Sequence, residues 1–133
     1  MKKLRGYIFA RPFMGERVPQ HVQNIVLRDY CAKKNQEILL AVVEYAMPNS
    51  FLMMESLVNQ PGSEDGILMY SITQLPVYPF QRETLYHRII ESGRSLHFAV
   101  DGMLIEQKCD VAAVEQCLLV KATLDKCISK VEI

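Results

Sequence analysis

The chain carries no excess charge of either sign: 15 Lys and Arg balance 15 Asp and Glu over 133 residues. That balance leaves no basic footprint for a nucleic acid. Half of the residues are hydrophobic, which also argues against a disordered chain. CxxC spacing is missing: Cys31, Cys109, Cys117 and Cys127, with three well-separated histidines, make no metal signature, and no metal site is expected. No apolar run approaches the roughly 18 residues of a membrane span. No secretory leader is read at the start, where Lys2 and Lys3 precede a run broken by Arg5 and Arg11. No glycine-rich fingerprint follows a strand, so bound NAD or ATP is disfavoured and no cofactor is expected. These absences point to a reducing cytoplasm, with the cysteines as small buried hydrophobes, and to partners that are neither membrane nor nucleic acid.

What is present suits one compact domain over residues 1–133, burying about two-thirds of its unfolded surface. The zero net charge hides an asymmetry. Residues 1–35 hold eight Lys or Arg against Glu16 and Asp29, so this first quarter is +6 and the remainder −6. Such a surplus is compatible with an anionic ligand near the chain's opening loop, with most of these charges solvating a surface.

The hydrophobic pattern alternates between strand and helix. "LRGYIFA" reads as a strand, and from Pro19 to about Lys34 an amphipathic helix carries Val22, Ile25, Val26 and Tyr30 on one stripe, with His21, Asn24 and Arg28 on another. "EILLAVVEY" is a continuous apolar run, the signature of a strand covered on both faces. Asn49 or Ser50 caps a second helix to about Asn59, which Pro61 and Gly62 stop. "DGILMYS", a helix from about Gln81 to Ser92 and "SLHFAV" continue the alternation; "GMLIEQ" adds a short edge strand. The expected fold is therefore α/β: a small three-layer α/β/α domain with a mostly parallel 2-1-3-4 sheet. A last helix, capped by Asp110 and running to about Lys130, is apolar over more of its circumference than one stripe requires, from Val111 to Val131. Burial within the domain and a subunit interface are both open readings of that helix.

In open α/β sheets a ligand binds beyond the carboxyl ends of the strands where strand order reverses. That rule selects the loop "RPFMGERVPQ", the ends of the second and third strands, and their neighbours. Arg11 and Arg17 are charged forks suited to phosphate or carboxylate, beside a helix N-terminus. Gln20, His21, Asn24, Tyr45, Ser71 and Gln74 offer the mixed donors and acceptors of a sugar site. His21 or Glu44 would serve as general base. The expected ligand is an anionic or phosphorylated sugar, or a nucleotide sugar.

Two family resemblances bear on this reading. "GYIFARPF", the helix ending "LRDYCAKKN", "LVNQPGSEDGILMYSITQLP" and "ETLYHRIIESGRSLHFAVDG" resemble, across about residues 4–105, the catalytic domain of serine resolvases and invertases. The resemblance implies that fold. Its chemistry does not carry over: Phe9 and Arg11 stand where that family has its arginine and nucleophilic serine, and Thr73, Gln74, Leu75 and Val77 replace its "DRLxR" residues. The chain is therefore not read as an active serine recombinase. Over nearly its whole length, through "LRGYIFARPFMGERVPQHVQN", "RDYC", "EYAM", "DGILMYSITQLP" and "LHFAVDGM", it is also similar to the sporadic carbohydrate cluster proteins. That resemblance implies work on a bacterial capsule or lipopolysaccharide precursor. The functions left open are a metal-independent sugar isomerase, epimerase or lyase, and a non-catalytic binding or assembly protein of the same pathway. The last helix and the resolvase-like topology also lead us to expect a homo-oligomer.

Overall fold

Seven residues, Lys3–Phe9, form strand β1, and their alternation decides the layering. Leu4 and Ile8 enter one core with Leu27, Cys31 and Leu68, while Tyr7 and Phe9 enter the opposite core with Met54, Ile67 and Phe98. The computed structural model describes residues 2–12, 18–47, 50–60 and 62–131, with side chains to Thr123. After β1 come α1 (Gln20–Lys33), β2 (Glu37–Glu44), α2 (Leu52–Asn59), β3 (Gly66–Met69), α3 (Pro79–Glu91), β4 (Ser95–Phe98), β5 (Met103–Ile105) and α4 (Lys108–Val131). A short 3-10 turn at Ile72–Gln74 follows β3.

The sheet order is β2-β1-β3-β4-β5. The first four strands are parallel and β5 runs antiparallel at the edge. This is the expected 2-1-3-4 order with the short fifth strand added. Because the chain reverses direction across the sheet after β2, α1 covers one face and α2, α3 and α4 cover the other. Gly6 lets α1 approach: a Cβ there would lie 3.0 Å from the Ala41 Cβ and 3.2 Å from Leu27 Cδ1.

Two expectations are corrected. The continuous apolar run of β2 predicts a strand covered on both faces, yet β2 is an edge strand in which Leu40 is 86% exposed. Between the pairs Arg5–Leu39 and Tyr7–Val42, three steps of β2 face two of β1, a bulge that turns Leu40 outward. The Arg5 guanidinium donates to the Leu40 carbonyl at 3.0 Å, holding the bulged backbone. Such a bulge blunts an edge that would otherwise template further strands. On α1 the fully buried positions are Gln23, Leu27 and Cys31, while Ile25 is 59% exposed. The hydrophobic stripe was misplaced because a glutamine occupies its first buried position.

Helix α2 is held at both ends by distant side chains. Buried Arg94 donates to the Leu57 and Val58 carbonyls at 2.8 and 2.7 Å, a cation on the helix's negative end, with Glu64 3.5 Å away. At α4 the Asp110 carboxylate accepts from the Glu106 and Gln107 N–H groups, both at 3.0 Å, and these bonds lower its pKa. The helix accordingly begins at Lys108, two residues before the expected cap. Farther along α4, Glu115 takes both arms of Arg82 at 2.8 and 2.9 Å and the Tyr86 hydroxyl at 2.8 Å, tying α3 to α4.

Candidate functional site at the carboxyl ends of the strands

The carboxyl ends of β1, β2 and β3 were expected to supply a crevice. There the Glu44 side chain is buried and accepts five hydrogen bonds. Tyr7 donates its hydroxyl at 2.8 Å, Ser50 Oγ lies at 3.4 Å, and the N–H groups of Tyr45, Met53 and Met54 donate at 3.0, 3.2 and 3.3 Å. The last two belong to the first turn of α2, so Glu44 supplies, from another strand, the cap that Phe51 cannot. Burial, and then the Glu44 charge, push the Tyr7 hydroxyl far above the usual phenol range.

Beside it, two glutamines interlock. Gln23 Oε1 accepts from the Phe9 N–H at 3.0 Å, and its Nε2 donates to the Phe9 and Val18 carbonyls, both at 2.9 Å. Gln74 Nε2 donates to Gln23 Oε1 at 2.9 Å, and Gln74 Oε1 accepts from the Tyr70 N–H at 3.1 Å. Both side chains are fully buried. The pair joins the ends of β1 and β3 and the start of α1. Gln23 was absent from the sequence-derived candidates; its signal was an amide spaced four and eight residues before Leu27 and Cys31.

The remaining candidates divide. Ser71 is buried, and its Oγ accepts from the Thr73 N–H at 3.2 Å as the cap of the 3-10 turn. Asp101 Oδ2 accepts from the Ile72 N–H at 2.8 Å, fixing the same turn. Arg11 stacks over the Phe9 and Phe51 rings at 4.2 and 5.0 Å and donates to the Tyr45 carbonyl at 2.9 Å. Tyr45 itself is half-exposed. Gln20 and His21 are exposed at the start of α1 and Asn24 is half-buried. Arg17 lies outside the described residues. The fold thus gathers Arg11, Glu44 and Tyr45 at the end of β2 and Ser71 with Gln74 after β3; Gln20 and His21 face solvent.

His97 is enclosed on the α1 side of the sheet. Its Nδ1 lies 2.8 Å from the Tyr30 hydroxyl and its Nε2 2.8 Å from Ser95 Oγ. Burial pushes its pKa down to about 4.

A groove of about 720 Å³ lies elsewhere, between α2 and α3. Met54, Val58 and Leu85 form apolar lining, and Glu55, Asn59 and Arg88 add polar groups. Sequence reasoning missed it because it depends on two helices, far apart in the chain, lying side by side.

No protein-family model and no curated sequence matches the chain. Among solved structures, the N-terminal catalytic domain of the TP901-1 integrase aligns with a TM-score of 0.63 at 13% identity, covering 98% of this chain and 96% of that one. A resolvase family site-specific recombinase from Streptococcus pneumoniae aligns with a TM-score of 0.62 at 13% identity, covering 98% and 99%. The fold is resolvase-like. At this identity the likeness concerns the fold alone. Within the resolvase-like frame, Phe9 is core and Arg11 is stacked on aromatic rings at the end of β1. Gln74 is locked to Gln23 after β3. No described helix is long and apolar enough to cross a membrane.

Proposed function

We propose that this chain is a non-catalytic binding or assembly protein of bacterial surface-polysaccharide biosynthesis, working in the cytoplasm and joining a second copy through α4. The observation that carries the non-catalytic reading is the state of Glu44: five donors converge on its carboxylate, two of them the first-turn amides of α2. A general base needs a lone pair within reach of a substrate proton, and this carboxylate spends its lone pairs on the scaffold. Ser71 and Gln74 are likewise committed to backbone and to Gln23. The pathway follows from the likeness of the opening motif to the sporadic carbohydrate cluster proteins. The joining role of α4 draws on Leu119 and Val120, 68% and 52% exposed on that helix.

A sugar isomerase, epimerase or lyase is the competing reading. It leaves His21, exposed on α1, to move the proton while Arg11 holds an anionic or phosphorylated sugar. Arg11→Ala and His21→Ala separate the two in a strain that lacks this protein and its capsule. The assembly reading expects both variants to restore capsule, since neither residue lies on α4. Failure of both, with the variant proteins folded and present at native level, would overturn it in favour of the enzyme.

A further inference from the structure

Helices α2 and α3 follow β2 and β3, start at the carboxyl end of the sheet and lie side by side on one face of it. The groove of about 720 Å³ between them falls within the roughly 300–1,000 Å³ of small-molecule sites. Its floor is apolar and nearly sealed from water: Met54, Val58 and Leu85 are 2%, 5% and 7% exposed. Met47, Leu52 and Phe80 form its mouth, where the two helices begin, and each is more than half exposed. The hydroxyls of the lining are spent inside the protein. Ser50 Oγ donates to Glu44 at 3.4 Å, and Thr84 Oγ1 donates to the Phe80 carbonyl at 3.0 Å. The middle of the groove therefore presents apolar surface.

Its charged groups are placed unevenly. At the end far from the mouth, the Arg88 guanidinium donates to Asn59 Oδ1, which leaves the other N–H groups of Arg88 and the Asn59 amide nitrogen as donors. Among the described residues no carboxylate pairs with Arg88, whereas Arg82 and Arg94 pair with Glu115 and Glu64. Glu55, the other charged residue of the lining, sits one helical turn nearer the mouth than Asn59. A dianionic phosphate at Arg88 would meet the repulsion of Glu55 twice over; a carboxylate meets it once and matches the planar fork of the guanidinium. We infer that this groove binds a carboxylic acid with an unbranched apolar chain, its carboxylate on Arg88 and Asn59 and its chain over Met54, Val58 and Leu85 toward Phe80. From Arg88 to Phe80 is about 12 Å at helical rise, which a zigzag chain of about ten carbons covers at about 1.5 Å per bond. Met47 and Met54, unbranched and polarizable, adapt readily to such a chain. Neither Arg11 nor Glu44 lines the groove, and its ligand does not depend on the polysaccharide reading.

Titration calorimetry of the native chain with hexanoate, octanoate, decanoate and dodecanoate, below their micelle concentrations, tests it. Decanol, decyl phosphate and decyltrimethylammonium serve as comparisons. Affinity should rise about two- to fourfold with each buried methylene up to decanoate, then level off at dodecanoate as the chain passes the mouth. Arg88→Gln should weaken decanoate about tenfold and leave decanol unchanged. Thr84→Phe, which fills the middle of the groove, should abolish both. Arg88 is exposed and Thr84 half-buried, so neither change opens the core, and native circular dichroism checks each. Should Thr84→Phe misfold, the Arg88→Gln comparison alone decides. No binding by any acid, whether the groove stays open or a second copy covers it, overturns the proposal. So does decanoate binding indifferent to Arg88→Gln, or affinity that keeps rising through dodecanoate. Tighter binding of decyl phosphate or decyltrimethylammonium than of decanoate overturns the carboxylate head.

Discussion

The Tyr7 hydroxyl donates at 2.8 Å to Glu44, thirty-seven residues away on the neighbouring strand. Through that carboxylate the central strand β1 is coupled to the first turn of α2. Tyr7→Phe removes one of five donors and should cost about 1–3 kcal/mol; Glu44→Gln puts a donor amide against donors and should cost about 2–4 kcal/mol. Urea unfolding measures both. Glu44→Gln should also be the more damaging to α2, seen as faster amide exchange at Met53 and Met54.

Gln23→Leu removes the acceptor of the Gln74 amide and the donor to the Val18 carbonyl, together with two bonds to the Phe9 backbone. The expected loss is about 2–4 kcal/mol, because each stranded buried group costs about 1–3 kcal/mol. Gln74→Leu removes fewer bonds and should cost less. Thermal unfolding of the two single variants and the double variant ranks them, and the double variant should fall well short of additivity.

Acid should destabilise the protein through His97. The unfolded imidazole takes up a proton near its usual 6.5, while in the folded protein the buried ring resists protonation until about pH 4. Protons are therefore bound on unfolding between these values. This contribution to stability is complete above pH 6.5 and is lost progressively as pH falls toward 4. The charges of Lys2 and Lys34 add to the depression while that of Glu106 opposes it. Urea midpoints from pH 7.5 to 4 should decline more steeply for the native protein than for His97→Gln.

Leu40 is 86% exposed on the bulge of β2, so Leu40→Lys should leave stability unchanged within about 0.5 kcal/mol. Arg5→Ala, which frees the bulged carbonyl from its 3.0 Å bond, should be the costlier change although it removes a surface charge. Chemical denaturation of the two variants side by side gives the comparison.

The order of elements and the topology of the sheet were legible in the sequence. Alternating strand and helix runs, punctuated by Pro48, Pro61, Gly62 and Gly93, require crossovers and leave few arrangements. The face that each side chain of β1 enters follows the simple period of two. Which polar residues would be drawn inside was decided only by tertiary structure. Glu44, Gln23 and Gln74 sit at strand ends and helix starts, where unpaired backbone groups from separate segments converge and need a partner. A polar side chain at such a position reads in the sequence as a ligand contact, because its actual partners lie up to 51 residues away. The same physics hid the groove and exposed β2. A hydrophobic run states that burial is favourable, but the neighbouring elements decide whether another surface is there to provide it.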